Sequence, residues 1–168
     1  MYEQESLFAI VEFGVGLAGF AAVFVALVRR AGAWEAASAY RLELLLVQSL
    51  AASLFALLPV SLRLLGVEPS LNWRLSSGLL AMAHIGGLVY ARGRYRRLPG
   101  DARRELSRVL LHGGTVLMLL SAAVLVLNGL GVLFAPQEGP YFLVLVSLLV
   151  ASVLNFVRTV TTRPGPVA

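Results

Sequence analysis

The chain has 168 residues, of which 58% are hydrophobic and 14% charged, with a formal net charge of +5. Soluble domains run near ~45–50% apolar and ~25% charged, so this composition excludes a water-soluble globule: there is too little polar surface to cover one. Cysteine and lysine are both absent, which removes disulfides, thiolate metal sites, thiol catalysis and any lysine Schiff base.

Five uncharged runs follow one another: Phe13–Val28, Leu44–Leu62, Leu75–Ala91, Val109–Gln137 and Gly139–Val157. Each approaches the ~20 residues that carry an α-helix across ~30 Å of hydrocarbon. The reading is an all-α, polytopic membrane protein with a single transmembrane domain over 1–168. Its five helices are predicted near 6–29, 36–65, 73–93, 102–134 and 140–160.

The first span is not read as a cleaved signal. Met1–Ser6 is acidic and Arg29-Arg30 follows the apolar run, the reverse of a secretory leader. Glu12 lies about 9 Å below the outer surface by helical rise. A carboxyl at that depth either binds a cation or relays a proton, or it pairs with Arg63 or Arg74. Gly14, Ala18 and Ala22 recur at four-residue spacing, with Gly16 and Gly19 beside them. This is a helix-packing surface, within the bundle or between copies.

The second span carries Glu43, Gln48, Ser49 and Ser53 in its inner half, and Pro59 in its outer half. Proline removes a donor and frees the carbonyl of Phe55; the reading is a packed kink, with a hinge as the alternative. A turn over Gly66–Asn72 leads to the third span, where His84 is near the middle and Gly86-Gly87 offers close approach.

Pro99-Gly100 breaks the next connection, and Asp101 is placed to cap the fourth helix. That helix is predicted to run about 33 residues, or about 50 Å, and so to project into the cytoplasm. It carries His112 near its inner end and Asn128 near its outer end, at a depth like that of Glu12. Two histidines on adjacent spans raise a bis-imidazole b-type haem. Their expected depths differ by about 8 Å, however, and each is read as bonded inside the bundle. No cofactor and no metal is expected. On the fifth span Ser152, Asn155 and Thr159 share a stripe, set to face the Ser49 and Ser53 stripe of the second.

Arginine placement sets the orientation. Arg29, Arg30, Arg41, Arg92, Arg94, Arg96, Arg97, Arg103, Arg104, Arg108, Arg158 and Arg163 fall on one side of five alternating spans; Arg63 and Arg74 fall on the other. Basic loops stay inside, so the N-terminus is outside and the C-terminus cytoplasmic. Trp73, Phe134 and Tyr141 are expected at the outer interface, and Trp34, Tyr40, Tyr90 and Tyr95 at the inner. Arg94, Arg96, Arg97, Arg103, Arg104 and Arg108 are read as contacts for anionic lipid headgroups, in preference to nucleic acid, for which no folded basic module is present. Leu65-Gly66-Val67 recurs as Leu130-Gly131-Val132, a weak sign of a duplicated hairpin.

No nucleotide loop, metalloprotease motif or nucleophile elbow is present in the sequence, and no enzymatic activity is expected. The chain is placed in a cell membrane, taken as a bacterial inner membrane. The leading functional expectation is an oligomeric channel or transporter for an ion or small polar solute. Its pathway or gating candidates are Glu12, Gln48, His84, His112, Asn128 and Asn155. The alternative is a non-catalytic subunit or assembly factor of a larger membrane complex; a haem redox subunit is weaker.

Overall fold

The computed structural model describes residues 2–29, 36–106, 108–132 and 137–161. Among these residues every regular element is helical: α1 (Tyr2–Arg29), α2 (Ala36–Leu64), α3 (Pro69–Arg96), α4 (Gly100–Glu105), α5 (Arg108–Leu130) and α6 (Glu138–Thr161). A helix closes its backbone hydrogen bonds within itself, which is what hydrocarbon demands of a crossing segment. Among the described residues four stretches are long and apolar enough to cross a membrane: Gln4–Leu27, Ala36–Leu64, Leu111–Leu130 and Glu138–Thr161. The third predicted span, α3, matches them in length at 28 residues but not in apolarity. It buries Asn72, Ser76, Ser77 and His84 and ends on arginines.

Helices α2 and α6 form the centre. Helix α1 packs against both, and α3 packs against α2 and, more extensively, α5. Helix α3 runs antiparallel to α2 along its length. Asn72 bonds the carbonyl of Pro59 near one end, and Arg94 meets Glu43 near the other. Leu80, Leu125, Leu145 and Tyr141 lie in the shared core. Many large apolar side chains face outward, among them Phe20, Leu54, Met82, Leu120 and Leu143, as suits a lipid surface.

The ends depart from the sequence reading. Helix α3 begins at Pro69, not near 73: Glu68 caps it and proline supplies the first turn. The Glu68 carboxylate accepts from the Ser70 hydroxyl and from the Ser70 and Leu71 N–H groups. These bonds, led by the Ser70 hydroxyl, hold its carboxyl below the usual range. The long fourth helix is instead two. Leu106 is extended (φ −80°, ψ 117°), so α4 and α5 are separate. Asp101 sits in the first turn of α4 and is not its cap; Pro99 holds that position without a side-chain bond.

Instead of projecting outward, α4 lies against α2, with Ala102 and Leu106 packed on Ala37 and Tyr40. The buried Arg41 donates to the Glu105 carbonyl at the end of α4, a favourable place for a cation.

The recurring Leu-Gly-Val triplet is explained by helix termination. Gly66 (φ 79°) and Gly131 (φ 67°) both occupy the left-handed region. Gly66 N–H bonds Arg63 O and Val67 N–H bonds Leu62 O; Gly131 and Val132 repeat this with Asn128 and Leu127. This is the double bond of a glycine C-cap. Two helices stopping the same way produce the repeat without any duplication.

Candidate functional site

The polar residues at membrane depth divide into an interior set, tied to one another, and one acidic residue on the outside.

The half of the interior nearer the start of α1 is organised by Pro59. Helix α2 continues through it, and the orphaned Phe55 carbonyl accepts the hydroxyl of Tyr141 from α6. The Pro59 carbonyl accepts from Asn72 Nδ2 at 2.8 Å, and Asn72 Oδ1 accepts from Ser76 at 3.2 Å. The loosened backbone is thus held by two neighbouring helices. Trp73 and Tyr141 pack with ring centroids 5.7 Å apart and planes tilted by 56°, and both are buried in the bundle. Both were expected at the membrane interface; they lie near the starts of α3 and α6 with their rings turned inward, the Tyr141 phenol to a waiting carbonyl. Tyr40 is likewise buried and donates to the Ala91 carbonyl. Tyr90 is exposed. Trp34 and Phe134 lie outside the described residues.

Asn128 is 1% exposed. Its Nδ2 donates to Ser77 Oγ at 2.9 Å and to Gln137 O at 3.0 Å, and its Oδ1 accepts from Gln137 N–H at 3.1 Å. It staples α5 to α3 and to the approach to α6, and it does not join Glu12.

Of the stripes predicted to face each other, Ser49 and Ser53 turn toward α1, and Ser152 and Asn155 meet α2 at Leu45 and Gln48 instead. Ser53 Oγ lies 3.3 Å from Val11 O and 3.0 Å from Ser49 O. Ser152 bonds its own turn at 2.9 Å and approaches Leu45 O at 3.4 Å. Asn155 Nδ2 donates to Gln48 Oε1 at 3.1 Å, and Thr159 donates to Asn155 O. Of the packing stripe on α1, Gly14 and Ala18 are buried and Ala22 is exposed; Ala21 takes its place inside. A Cβ on Gly14 would lie 2.3 Å from Ser53 Oγ and 2.8 Å from Ser49 O, so only glycine allows this approach.

His84 is buried, with Nδ1 3.2 Å from Leu80 O. His112 is exposed on α5. The α3–α5 register follows from Asn128 opposite Ser77 and Gly87 against Met118. It places His112 opposite about residue 93, roughly 13 Å along the axis from His84 by helical rise. The two imidazoles do not face one haem iron. Among the described residues no three of His, Asp and Glu gather into a metal-holding group.

At the inner end Glu43 receives Arg94 through two guanidinium nitrogens, Nη2 at 2.8 Å and Nε at 3.0 Å, and accepts the Tyr90 hydroxyl. Of the six arginines read as lipid contacts, Arg94 is therefore engaged within the chain. Arg96, Arg97, Arg103 and Arg104 are exposed, and the side chain of Arg108 lies outside those described.

Glu12 stands apart. It is exposed on α1, about eight residues, or about 12 Å, into the Gln4–Leu27 stretch. Among the described residues its side chain makes no hydrogen bond or ion pair, and the expected pairing with Arg63 or Arg74 does not form. Arg63 lines an outer depression with Gln4, Leu7 and Trp73, two turns above Glu12. Arg74 is on α3, across the bundle. Beside Glu12, Cβ atoms built on Gly16 and Gly19 meet nothing within 4 Å.

Sequence reasoning missed Tyr141, Asn72 and Arg41 as binding partners of backbone carbonyls. For Tyr141 a signal existed, since a proline within a span always leaves a carbonyl in need of a donor. Comparison of the chain with protein families, curated proteins and solved structures finds no match.

Proposed function

We propose that this protein is a five-span, multi-pass protein of the cell membrane that acts through lateral assembly, as a non-catalytic subunit whose α1 docks on another membrane helix. The observation that carries this reading is Glu12, a carboxylate at membrane depth on a small-residue face with no partner in its own chain. Ionisable side chains inside a bilayer almost always face protein or water, so this face has a neighbour in the working assembly. The fifth span is α3, supported by its hydrogen bonds to α2 at both ends. The cytoplasmic arginines meet anionic headgroups.

The test is purification of the tagged full chain from its membrane in mild detergent. A defined larger assembly is expected, and Glu12→Leu is expected to release the chain from it. A chain that runs alone in both forms removes the reading. For topology, single cysteines at Ser6 and Thr161 should label from opposite sides of the membrane.

A channel or transporter for an ion or small polar solute is the second reading, and the same residue favours it. The interior polar groups are bonded to one another, so a path would run between chains, past Glu12. Cation flux into liposomes would then fall with Glu12→Gln and persist with His84→Ala.

A further inference from the structure

Glu12 has a counterpart of opposite charge on another face of the bundle. Arg74 is exposed on α3 and forms no hydrogen bond or ion pair within the chain; the exposed Glu68 is within electrostatic reach. The depths of the two residues follow from the hydrogen bonds. Ser53 is level with Val11, and Pro59, about 9 Å further out on α2, is level with Asn72. Arg74 therefore sits about 7 Å outward of Glu12. Both side chains lean outward, toward the N-termini of their helices, so the long Arg74 side chain reaches the carboxylate by folding back inward. Because α1 and α3 both begin at the outer end, they are parallel within one chain and between two copies of the same orientation.

The faces also match in shape. Around Glu12, α1 exposes Ala9, Gly16 and Gly19, one smooth stripe at i, i+4 and i+3 spacings. Around Arg74, α3 exposes Leu71, Leu75 and Met82. Large side chains on one helix and glycines on the other is how membrane helices approach closely.

We propose that the occupant of the α1 face is a second copy of this chain, docked through α3 so that Glu12 of one copy pairs with Arg74 of the next. The contact is heterologous: each copy uses α1 toward one neighbour and α3 toward the other, so assembly continues until a ring closes. The pair neutralises two charges in lipid, and its direction excludes the reversed order. This rests on the assembly reading above and names the partner.

The cysteine-free sequence allows a direct test. Phe8 is exposed one turn outward of Glu12, and Leu75, exposed beside Arg74, is level with Phe8 by the same hydrogen-bond register. Full chains carrying Phe8→Cys with one tag and Leu75→Cys with another are mixed in phosphatidylcholine–phosphatidylglycerol vesicles and oxidised. The disulfide expected is between the two tags, in excess over either like pair. Glu12→Gln should lower its yield about tenfold, the loss of a desolvated charge pair. Charge-reversed Glu12→Arg or Arg74→Glu should lower it too, and the double exchange should restore it in chains that remain monodisperse and helical.

A dominant Phe8→Cys like pair means copies meet α1 to α1 and overturns the proposal. So does the absence of any cross-link, or a mixed cross-link indifferent to Glu12→Gln. If cross-linking fails while unrelated subunits co-purify with the native chain, the assembly reading stands and the self-pairing falls.

Discussion

The inward and outward faces of α1 carry similar residues and do opposite things. Inward, Gly14 is pressed against Ser49 and Ser53 so closely that a methyl group has no room. Outward, one turn away, Gly16 and Gly19 border open space beside an unpaired carboxylate. The difference teaches that a small-residue stripe marks an interface without saying whose. The inward face is closed by α2 and α6; the outward one needs something from outside the chain. Polar residues divide in the same way: Asn72, Asn128 and Tyr141 inside are held by bonds between helices, and Glu12 is not.

The sharpest test of that contrast is a pair of substitutions. Gly14→Ala should destabilise the bundle by about 1–3 kcal/mol, the range for overpacking, because Ser49 O is backbone and cannot step aside. Gly16→Ala should be neutral or slightly stabilising through helix propensity. Unfolding in mixed detergent micelles measures both, and equal effects would erase the distinction.

Next in size is Asn128→Ala, which removes three hydrogen bonds between α5, Ser77 and Gln137. A loss of about 1–2 kcal/mol is expected, near the upper range for polar contacts between membrane helices, with faster amide exchange at Gln137. Tyr141→Phe should follow at about 1 kcal/mol, since it leaves Phe55 O without a donor. Glu12→Leu should change the stability of the isolated chain by less than about 0.5 kcal/mol, as for a surface change without partners, while altering assembly.

The smallest effect concerns pH. The Glu68 carboxyl is held below its ordinary range when folded. Its contribution is therefore present above the unfolded pKa and is lost as pH falls through the lower folded value. The protection of the Ser70 and Leu71 amides relative to their intrinsic exchange rates should fall on acidification, and Glu68→Gln should flatten that response.

Much of the architecture was legible in the pattern of apolar runs, because hydrophobic length answers to bilayer thickness. The packing of the last helix on the second through Asn155 and Gln48 involves two of the polar residues singled out by position, but the Ser49 and Ser53 stripe turns to α1. What the runs hide is rotation and reach. Nothing in a depth count tells whether Glu12 faces the bundle or the lipid, because that depends on which neighbours α1 acquires. Nor does hydropathy register the break at Leu106, a leucine between the charged residues of α4 and Arg108 at the start of α5. Nor does composition tell whether Trp73 and Tyr141 turn to lipid or to the bundle: both are buried, and for Tyr141 the deciding feature is the Phe55 carbonyl within reach.

The bond from Tyr141 to Phe55 carries a consequence for biogenesis. Translation delivers the second helix long before the sixth, so the Phe55 oxygen enters the membrane without its donor and waits for the last segment to emerge. A nascent chain released before Tyr141 is made would leave that oxygen facing hydrocarbon, a flaw by which quality-control proteases could tell truncated products from finished ones.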